Sequence, residues 1–288
     1  MAYELTSSVP AQRFLRLYRL RRHVVGQWDQ VSDQTQFYFK TLAAMPDAVI
    51  HYRPELLRLI AQMGLGSGAL AAVGGTVVIV GFMTMTTGAV VAAQGYTQFQ
   101  SVGVQAFTGF ASAFFIPRLI VPGTAQVTLT ATVGAGATAQ MGAMKINEEV
   151  DALEVIGIRS VSYLAATRVI AGTVVVIPLY AIALMTGFLA ARFGTTALYG
   201  QAVGVYDHYF DTFLNTDDLI WSFFETIIMI VVVMMVCTYY GYNAGGGPAG
   251  VGEAVGRAVR ASMVVGAVVL MAVTLAVYGQ SGNFHLAG

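Results

Sequence analysis

Long stretches of the chain lack charged residues, and these stretches predict where helices cross a membrane. Between Arg58 and Arg118 lie 59 consecutive residues without Asp, Glu, Lys or Arg. A helix that spans a bilayer needs about 20 predominantly apolar residues, so this run can hold one whole span and most of a second. Further uncharged runs cover 119–144, 169–191, 226–252 and 261–288. The pattern predicts five transmembrane helices, over about 66–93, 103–143, 161–191, 217–243 and 259–280.

The second predicted segment is too long for one straight span. It contains Pro117 and Pro122, and proline interrupts a helix because its nitrogen carries no hydrogen to donate. Backbone breaks at membrane depth need protein or water beside them. We therefore expect 103–143 to be kinked or partly re-entrant.

The first 60 residues differ from the rest and predict a separate layer beside the membrane. Over 13–28, apolar and aromatic side chains fall on one side of a helical wheel and most arginines on the other. This is typical of a helix that lies among lipid headgroups, with a solvated basic tail as the alternative. Residues 33–50 predict a second interfacial helix that ends near Pro46. The predicted organisation is an interfacial segment over 1–60 and a membrane domain over 61–288.

Composition and charge agree with a chain surrounded by lipid. Charged residues are 10% of the 288 residues and apolar residues 56%, whereas soluble domains carry roughly 25% charged residues. Fifteen basic residues balance fifteen acidic ones, so no net positive field favours binding of nucleic acid.

The distribution of the basic residues predicts the orientation of the chain. All but two of them lie in the N-terminal segment or around the second and fourth connections, which share one side of the membrane. Basic residues accumulate on the cytoplasmic side. We therefore predict a multi-pass protein of the cytoplasmic membrane with its N-terminus inside and its C-terminus outside. The other side holds Arg192 and an acidic set around the third connection, namely Asp207, Asp211, Asp217 and Asp218.

The sequence offers little catalytic chemistry of its own. The two lysines, Lys40 and Lys145, do not follow the glycines of a phosphate-binding loop. We therefore expect a non-catalytic chain without a cofactor, and any ATP-driven work must come from a partner chain. Asp207, His208 and Asp211 form the nearest approach to a ligand set, which we interpret as a solvated turn on the third connection rather than a metal site.

One charged segment lies between the second and third spans, on the predicted cytoplasmic side. It predicts a short helix over about 146–157, because Asn147 can cap its start and Gly157 can end it. On a helical wheel, its apolar residues form a narrow stripe and its acidic residues cover the other side. The stripe consists of Ile146, Val150 and Leu153, and the acids are Glu148, Glu149, Asp151 and Glu154.

This acidic helix favours docking to a cytoplasmic protein. An amphipathic helix lying on the bilayer is the alternative, although four acids would be repelled by an anionic leaflet. The residues alone allow a transporter subunit that is coupled to a partner, or a non-transporting scaffold that recruits one. An ion-coupled transporter is disfavoured, because the chain shows no convincing internal repeat and one acid within the predicted spans.

We interpret two ionisable residues, Arg118 and Glu225, as lying within the membrane. A charge at the centre of a bilayer costs about 2.5–3.5 kcal/mol on insertion scales, so each needs a partner or a water-filled path. We interpret Arg118 as part of a lipid pathway or a subunit interface. Glu225 is a candidate for the same role, although near the outer end of its span it could simply reach the headgroups.

A family resemblance covers the charged segment. The run Gly142-Ala-Met-Lys-Ile-Asn-Glu-Glu-Val-Asp-Ala-Leu-Glu-Val-Ile-Gly-Ile158 resembles the signature that joins the second and third spans of MlaE/YrbE permeases. Arg118-Leu-Ile-Val-Pro122 stands where that family often has Arg-Glu-Leu-x-Pro. The chain length, the basic N-terminal segment and the five predicted spans fit the same family.

The resemblance implies the membrane subunit of an ABC transporter that moves lipid through the cell envelope. Its partners would be a cytoplasmic ATPase dimer that binds ATP and magnesium, MCE-domain proteins on the outer face, and a lipid substrate. The acidic helix would be the coupling helix that contacts the ATPase.

Three positions that are commonly charged in this family are uncharged here, namely Leu119, Thr132 and Gln140. The chain therefore resembles the B-type YrbE subunit of an actinobacterial, mycobacterial-like Mce lipid transport system. We expect it to form a heterodimer with an A-type YrbE-like permease paralogue that keeps the charges.

Overall fold

Every regular element of the described residues is a helix. The computed structural model of the chain describes residues 31–65 and 75–278. The helices are α1 (31–51), α2 (Arg53–Leu65), α3 (Gly75–Ser101), α4 (Gln105–Ile146), α5 (Glu149–Val155), α6 (Val161–Leu198), α7 (Val203–Phe213), α8 (Thr216–Tyr242) and α9 (Gly247–Tyr278). The predicted interfacial helix over 13–28 lies outside the described residues.

Five of these helices, α3, α4, α6, α8 and α9, are long and apolar enough to cross a membrane. This confirms the prediction of an all-α fold with five spans, and several helices extend beyond the predicted spans. α3 continues to Ser101 and α6 to Leu198, beyond the predicted ends at 93 and 191, and α9 begins at Gly247 rather than near 259. Polar and charged residues lower the hydropathy at these places, but many of them continue a helix as well as apolar residues do.

α4 stays helical across both of its prolines. Its 42 residues would extend about 63 Å if straight, at 1.5 Å per residue. Two π-helical turns, Ile116–Ile120 and Thr130–Gly134, interrupt its regular hydrogen bonding. Pro117 lies at the start of the first π turn, and Pro122 at the start of the α-helical segment that follows. Proline inside a helix removes one N–H donor, and a π turn is a place where the regular hydrogen bonding of a helix already changes.

α6 packs against α2, α3 and α8 in the interior of the bundle. It approaches α3 closely at two glycines, where a Cβ on Gly88 would lie 2.4 Å from the carbonyl oxygen of Gly187. Gly134 of α4 is similarly close to α8, since a Cβ there would lie 2.7 Å from the Cys237 Sγ. Small residues let helix backbones approach each other in lipid, where apolar burial does not drive association.

α1 continues through Pro46, where the sequence predicted its end. Phe37 and Ala48, on either side of the proline, are both buried. The Phe37 ring lies 5.6 Å from the Tyr239 ring and 5.4 Å from the Tyr242 ring, both at the end of α8. Tertiary packing therefore outweighs the local effect of the proline and attaches α1 to the end of the bundle that carries α5.

The third connection contains a helix, α7, and not the solvated turn that the sequence predicted. Its inner face is packed, because Tyr206 is buried and a Cβ on Gly109 of α4 would lie 2.4 Å from the Tyr206 carbonyl oxygen. On the outer face, Arg192 donates hydrogen bonds of 2.8 Å to both carboxylate oxygens of Asp207. This hydrogen bonding holds the pKa of Asp207 below its usual range. No group of three His, Cys, Asp or Glu side chains that could hold a metal ion occurs within 31–65 and 75–278.

Candidate functional site

The acidic segment forms helix α5, but the predicted cap at Asn147 is wrong. α4 continues to Ile146, and Asn147 ends α4 instead of starting α5. Glu148 precedes α5 with a φ of 61°, in the left-handed region, and its side chain makes no capping hydrogen bond. Because α4 is helical up to Ile146, two residues must make the whole turn, and the turn uses a left-handed backbone rather than a side-chain cap.

Gly157 ends α5 through a left-handed backbone with a φ of 83°. Its N–H donates to the Glu154 carbonyl oxygen at 3.0 Å, and the Ile158 N–H donates to the Leu153 carbonyl oxygen at 2.9 Å. These two hydrogen bonds form a Schellman motif, in which glycine is favoured because it has no Cβ. The motif fixes the direction in which the chain leaves α5 toward α6.

The apolar stripe of α5, which the sequence predicted as a docking surface, packs partly against its own chain. Val150 is 1% exposed, and Leu153 is half-buried beside it. Both belong to a cluster with Phe37 of α1 and Leu164 of α6, and Ile146 is half-buried at the end of α4. A helix of seven residues is unstable alone and depends on tertiary contacts of this kind. The buried part of the stripe therefore holds α5 in place and is not available to a partner.

Two apolar side chains at the end of α5 are exposed instead. Val155 is 86% exposed and Ile156 is 71% exposed, and we call this pair the α5 tip. A sequence signal for them existed, because both directly precede Gly157, where the chain turns away from the helix. The exposed acids of the same helix and its start are Glu148, Glu149, Asp151 and Glu154.

Glu154 is held by two hydroxyl groups although the residue is exposed. The Ser160 hydroxyl donates to its Oε1 at 2.5 Å, and the Tyr242 hydroxyl donates to the same oxygen at 3.3 Å. The two hydroxyl oxygens lie 2.7 Å apart. Tyr242 is the last residue of α8, so these hydrogen bonds join α5 to a membrane-spanning helix.

Arg118 is buried in α4 and faces Asp218 of α8. Its Nη2 lies 2.5 Å from the Asp218 Oδ2, and each side chain is 11% exposed. The guanidinium also lies over the Phe114 ring, 4.0 Å from the ring centroid. One turn further along α8, the Ser222 hydroxyl donates to the Pro117 carbonyl oxygen at 2.5 Å. Polar contacts therefore join α4 to α8 around the first π turn of α4.

The sequence prediction grouped Asp218 with the acids of the third connection. In the structure, Asp218 is buried in α8. The Asn215 side chain accepts a hydrogen bond of 3.0 Å from the Asp217 N–H and caps the helix, so Asp218 falls in its first turn. An Asn followed three residues later by an acid is a helix-start pattern, and this was the available signal.

Two further ionisable residues are buried within the spans. Glu225 is 2% exposed and accepts a hydrogen bond of 3.1 Å from the Thr274 hydroxyl of α9, so it does not reach toward the headgroups. Arg168 of α6 is 3% exposed and donates to the Leu164 carbonyl oxygen at 3.0 Å. The sequence counted Arg168 with the cytoplasmic connection because it lies only a few residues inside the predicted span.

Two open grooves lie beside α3 and α4. The first, of about 380 Å³, has a partly polar lining that includes Gln62, Thr76, Thr132 and Gln140. The second, of about 430 Å³, is mainly apolar and includes Leu119. The three positions that lack the charges common in the resembled family therefore line these grooves.

Comparison with known proteins gives the family. A family model described as Permease MlaE matches residues 66–276, which is most of the chain. The chain belongs to the MlaE permease family. This MlaE-family chain is 28% identical over 196 residues to a probable ABC transporter permease protein of Rickettsia bellii, and the match covers 65% of the chain and 72% of the relative.

More distant relatives come from photosynthetic organisms. A probable ABC transporter permease protein of Synechocystis is 24% identical over 167 residues, which are 58% of this chain and 64% of the relative. Protein TRIGALACTOSYLDIACYLGLYCEROL 1, chloroplastic, of Arabidopsis thaliana is 23% identical over 167 residues, which are 58% of this chain and 48% of the relative.

The MlaE family and these relatives give the function at a coarse level. The chain is a multi-pass membrane protein and a permease subunit of an ABC transporter. The relatives named ABC transporter permease also imply a partner ATPase.

Proposed function

We propose that the chain is the permease subunit of an ATP-driven, Mce-type lipid importer in the cytoplasmic membrane, with its N-terminus inside. ATP and magnesium bind to a separate cytoplasmic ATPase dimer, and this chain hydrolyses no ATP. MCE-domain proteins deliver the lipid at the outer face. α5 acts as the coupling helix on which the ATPase docks.

The exposed α5 tip carries this proposal. A helix that transmits movement from an ATPase must be accessible to it and also attached to the spans. Val155 and Ile156 provide accessible apolar area, and full burial of such a side chain contributes about 1.5–3 kcal/mol. Val150 and the Schellman motif at Gly157 support the attachment.

The apolar groove beside α4 supports a lipid cargo. Its lining includes Met83, Leu119 and Val127. A hydrocarbon chain has no polar groups to satisfy, so an apolar wall can bind it without desolvating a donor or an acceptor.

We also propose that the chain pairs with a non-identical, A-type YrbE-like permease. Leu119, Thr132 and Gln140 line open grooves rather than the packed interior, so a second chain can reach them. Two identical copies would bring uncharged groups to these places, whereas a paralogue with charged residues there supplies the polar contacts. Cells that express both chains should yield mixed complexes, and recovery of self-dimers alone would contradict the pairing.

Substitutions at the α5 tip test the proposed function. The permease is purified with its ATPase from cells that express the whole transporter and is reconstituted in phosphatidylethanolamine and phosphatidylglycerol vesicles with a fluorescent phospholipid. Val155→Asp or Ile156→Asp should reduce ATPase co-purification and ATP-dependent lipid transfer about tenfold or more, because each places a carboxylate in an apolar contact. Val102→Asp is the matched control, because Val102 is 70% exposed and follows α3 at the opposite end of the bundle.

Wild-type levels of ATPase binding in both tip variants would contradict docking at this place. If the wild-type complex binds its ATPase but moves no lipid when ATP is added, the scaffold function is favoured instead. Loss of ATPase binding in Val102→Asp would mean that the assay reports folding rather than docking.

A further inference from the structure

Two hydroxyl groups from different segments donate to one carboxylate oxygen of Glu154, beside the α5 tip. Ser160 and Tyr242 both donate hydrogen bonds to Oε1 of Glu154, at 2.5 and 3.3 Å. Ser160 is 3% exposed and Tyr242 is half-buried, so both donors are held in place by surrounding protein. Glu154 lies one residue before the α5 tip, and Ser160 lies just before α6.

α8 carries a second polar contact at its other end. α8 begins at Thr216 and ends at Tyr242, and its 27 residues extend about 40 Å at 1.5 Å per residue. Near its start, Asp218 is paired with Arg118 of α4. A single helix therefore connects the carboxylate beside the α5 tip with the buried ion pair at the other end of the spans.

We propose that Ser160 and Tyr242 are positioning residues that fix Glu154 and so couple movement of α5 to movement of α8. The inference rests on the proposed function, in which an ATPase moves α5. When the ATPase displaces the α5 tip, the Glu154 hydrogen bonds pull the end of α8 with it. The rigid helix then carries the displacement to Asp218 and thus to α4.

The role of Glu154 in this proposal is to accept hydrogen bonds and not to supply charge to the ATPase. Glutamine keeps a carbonyl oxygen in the position of Oε1, whereas alanine removes the acceptor. If Glu154 instead attracted basic residues of the ATPase, Glu154→Gln would be as harmful as Glu154→Ala. Glu253 is the matched control, because it is an exposed glutamate outside α5 that neither hydroxyl contacts.

The test measures the amount of lipid moved per ATP hydrolysed by the reconstituted complex in the vesicles described above. Glu154→Ala, Ser160→Ala and Tyr242→Phe should lower this ratio about tenfold, as expected for losing hydrogen bonds to a charged acceptor. Glu154→Gln and Glu253→Ala should keep the wild-type ratio, and every variant should bind the ATPase at the wild-type level.

A structural measurement accompanies the ratio. Amide hydrogen exchange of the detergent-solubilised permease should be faster across α5 in Tyr242→Phe than in the wild type, because α5 loses a contact with α8. Unchanged exchange together with an unchanged lipid-to-ATP ratio would overturn the inference. A loss of ATPase binding in Tyr242→Phe would also overturn it, because the residue would then act in assembly.

The inference and the proposed function fail in different ways. A wild-type complex that neither binds an ATPase nor moves lipid overturns the proposed function, and the coupling role with it. A wild-type complex that moves lipid, with a ratio that Tyr242→Phe and Ser160→Ala leave unchanged, overturns the coupling role alone.

Discussion

Replacing Asp218 by asparagine removes the carboxylate that faces the buried Arg118 guanidinium. Breaking a buried ion pair by removing one partner costs about 3–5 kcal/mol. The lower end of this range applies, because each side chain keeps 11% of its surface exposed and the Phe114 ring still faces the cation. We therefore expect a loss of about 3 kcal/mol in the free energy of unfolding, which lowers the unfolding midpoint by about 6–12 °C for a chain of this size.

Cys237 provides the assay for this prediction. It is the single cysteine of the chain and is 0% exposed, so a fluorescent maleimide should label it only when the bundle opens. The detergent-solubilised protein is heated with the dye, and the midpoint is read from the fluorescence. Asp217→Asn is the matched control, because it removes an exposed acid from the same helix end. Its shift measures the interaction with the helix dipole without the ion pair.

Equal midpoints for Asp217→Asn and Asp218→Asn would refute the magnitude assigned to the ion pair. The double variant Arg118→Leu with Asp218→Leu gives a second check, because it replaces both charged side chains by apolar ones. Its unfolding midpoint should be higher than that of Asp218→Asn by about half or more of the decrease, since replacing a whole buried ion pair is often nearly neutral. A double variant that is no more stable than Asp218→Asn would show that the destabilisation does not come from the Arg118 charge.

Two further predictions concern helix packing and pH. Gly88→Ala should lower the unfolding midpoint, because the new Cβ would lie 2.4 Å from the Gly187 carbonyl oxygen and overpacking costs about 1–3 kcal/mol. Gly136→Ala should raise the unfolding midpoint slightly, because a Cβ there has no atom within 4 Å and alanine favours a helix. Midpoint shifts of the same sign in both variants would contradict the packing. The pKa of Asp207 is lowered by Arg192, so their contact should stabilise the fold above the ordinary aspartate pKa of about 3.9 and weaken as the pH falls through the lowered value. Melting curves at pH 3 to 5, with Asp207→Asn as the comparison, test this, and an identical pH dependence in both proteins would exclude the effect.

The number and order of the spans could be predicted, because long uncharged runs have few uses outside a membrane. The ends of the helices could not, because hydropathy reports where polar residues begin while helix ends depend on local hydrogen bonds. Asn215 caps α8, and Gly157 ends α5 through its backbone. In contrast, Pro46 does not end α1.

The sequence predicted a short helix in the acidic segment, and Glu149–Val155 is helical, but the direction in which its apolar side faces could not be read from the sequence. A helical wheel groups Val150 with Leu153 without indicating which way their shared side faces. That direction depends on Phe37, more than a hundred residues earlier, which packs in the same cluster. The partners of Arg118 and Glu154 were missed for the same reason, because Asp218 and Tyr242 lie on α8, far along the chain.

The Arg118 and Asp218 pair has a consequence for how the chain is synthesised and inserted. The ribosome makes the arginine 100 residues before the aspartate, which corresponds to about 5–20 s at typical elongation rates. During that time the Arg118 guanidinium cannot pair with the Asp218 carboxylate, and a charge held within a bilayer without a partner is costly. α4 can therefore reach its final packing only after α8 has been synthesised. The membrane domain is thus completed late in translation rather than span by span.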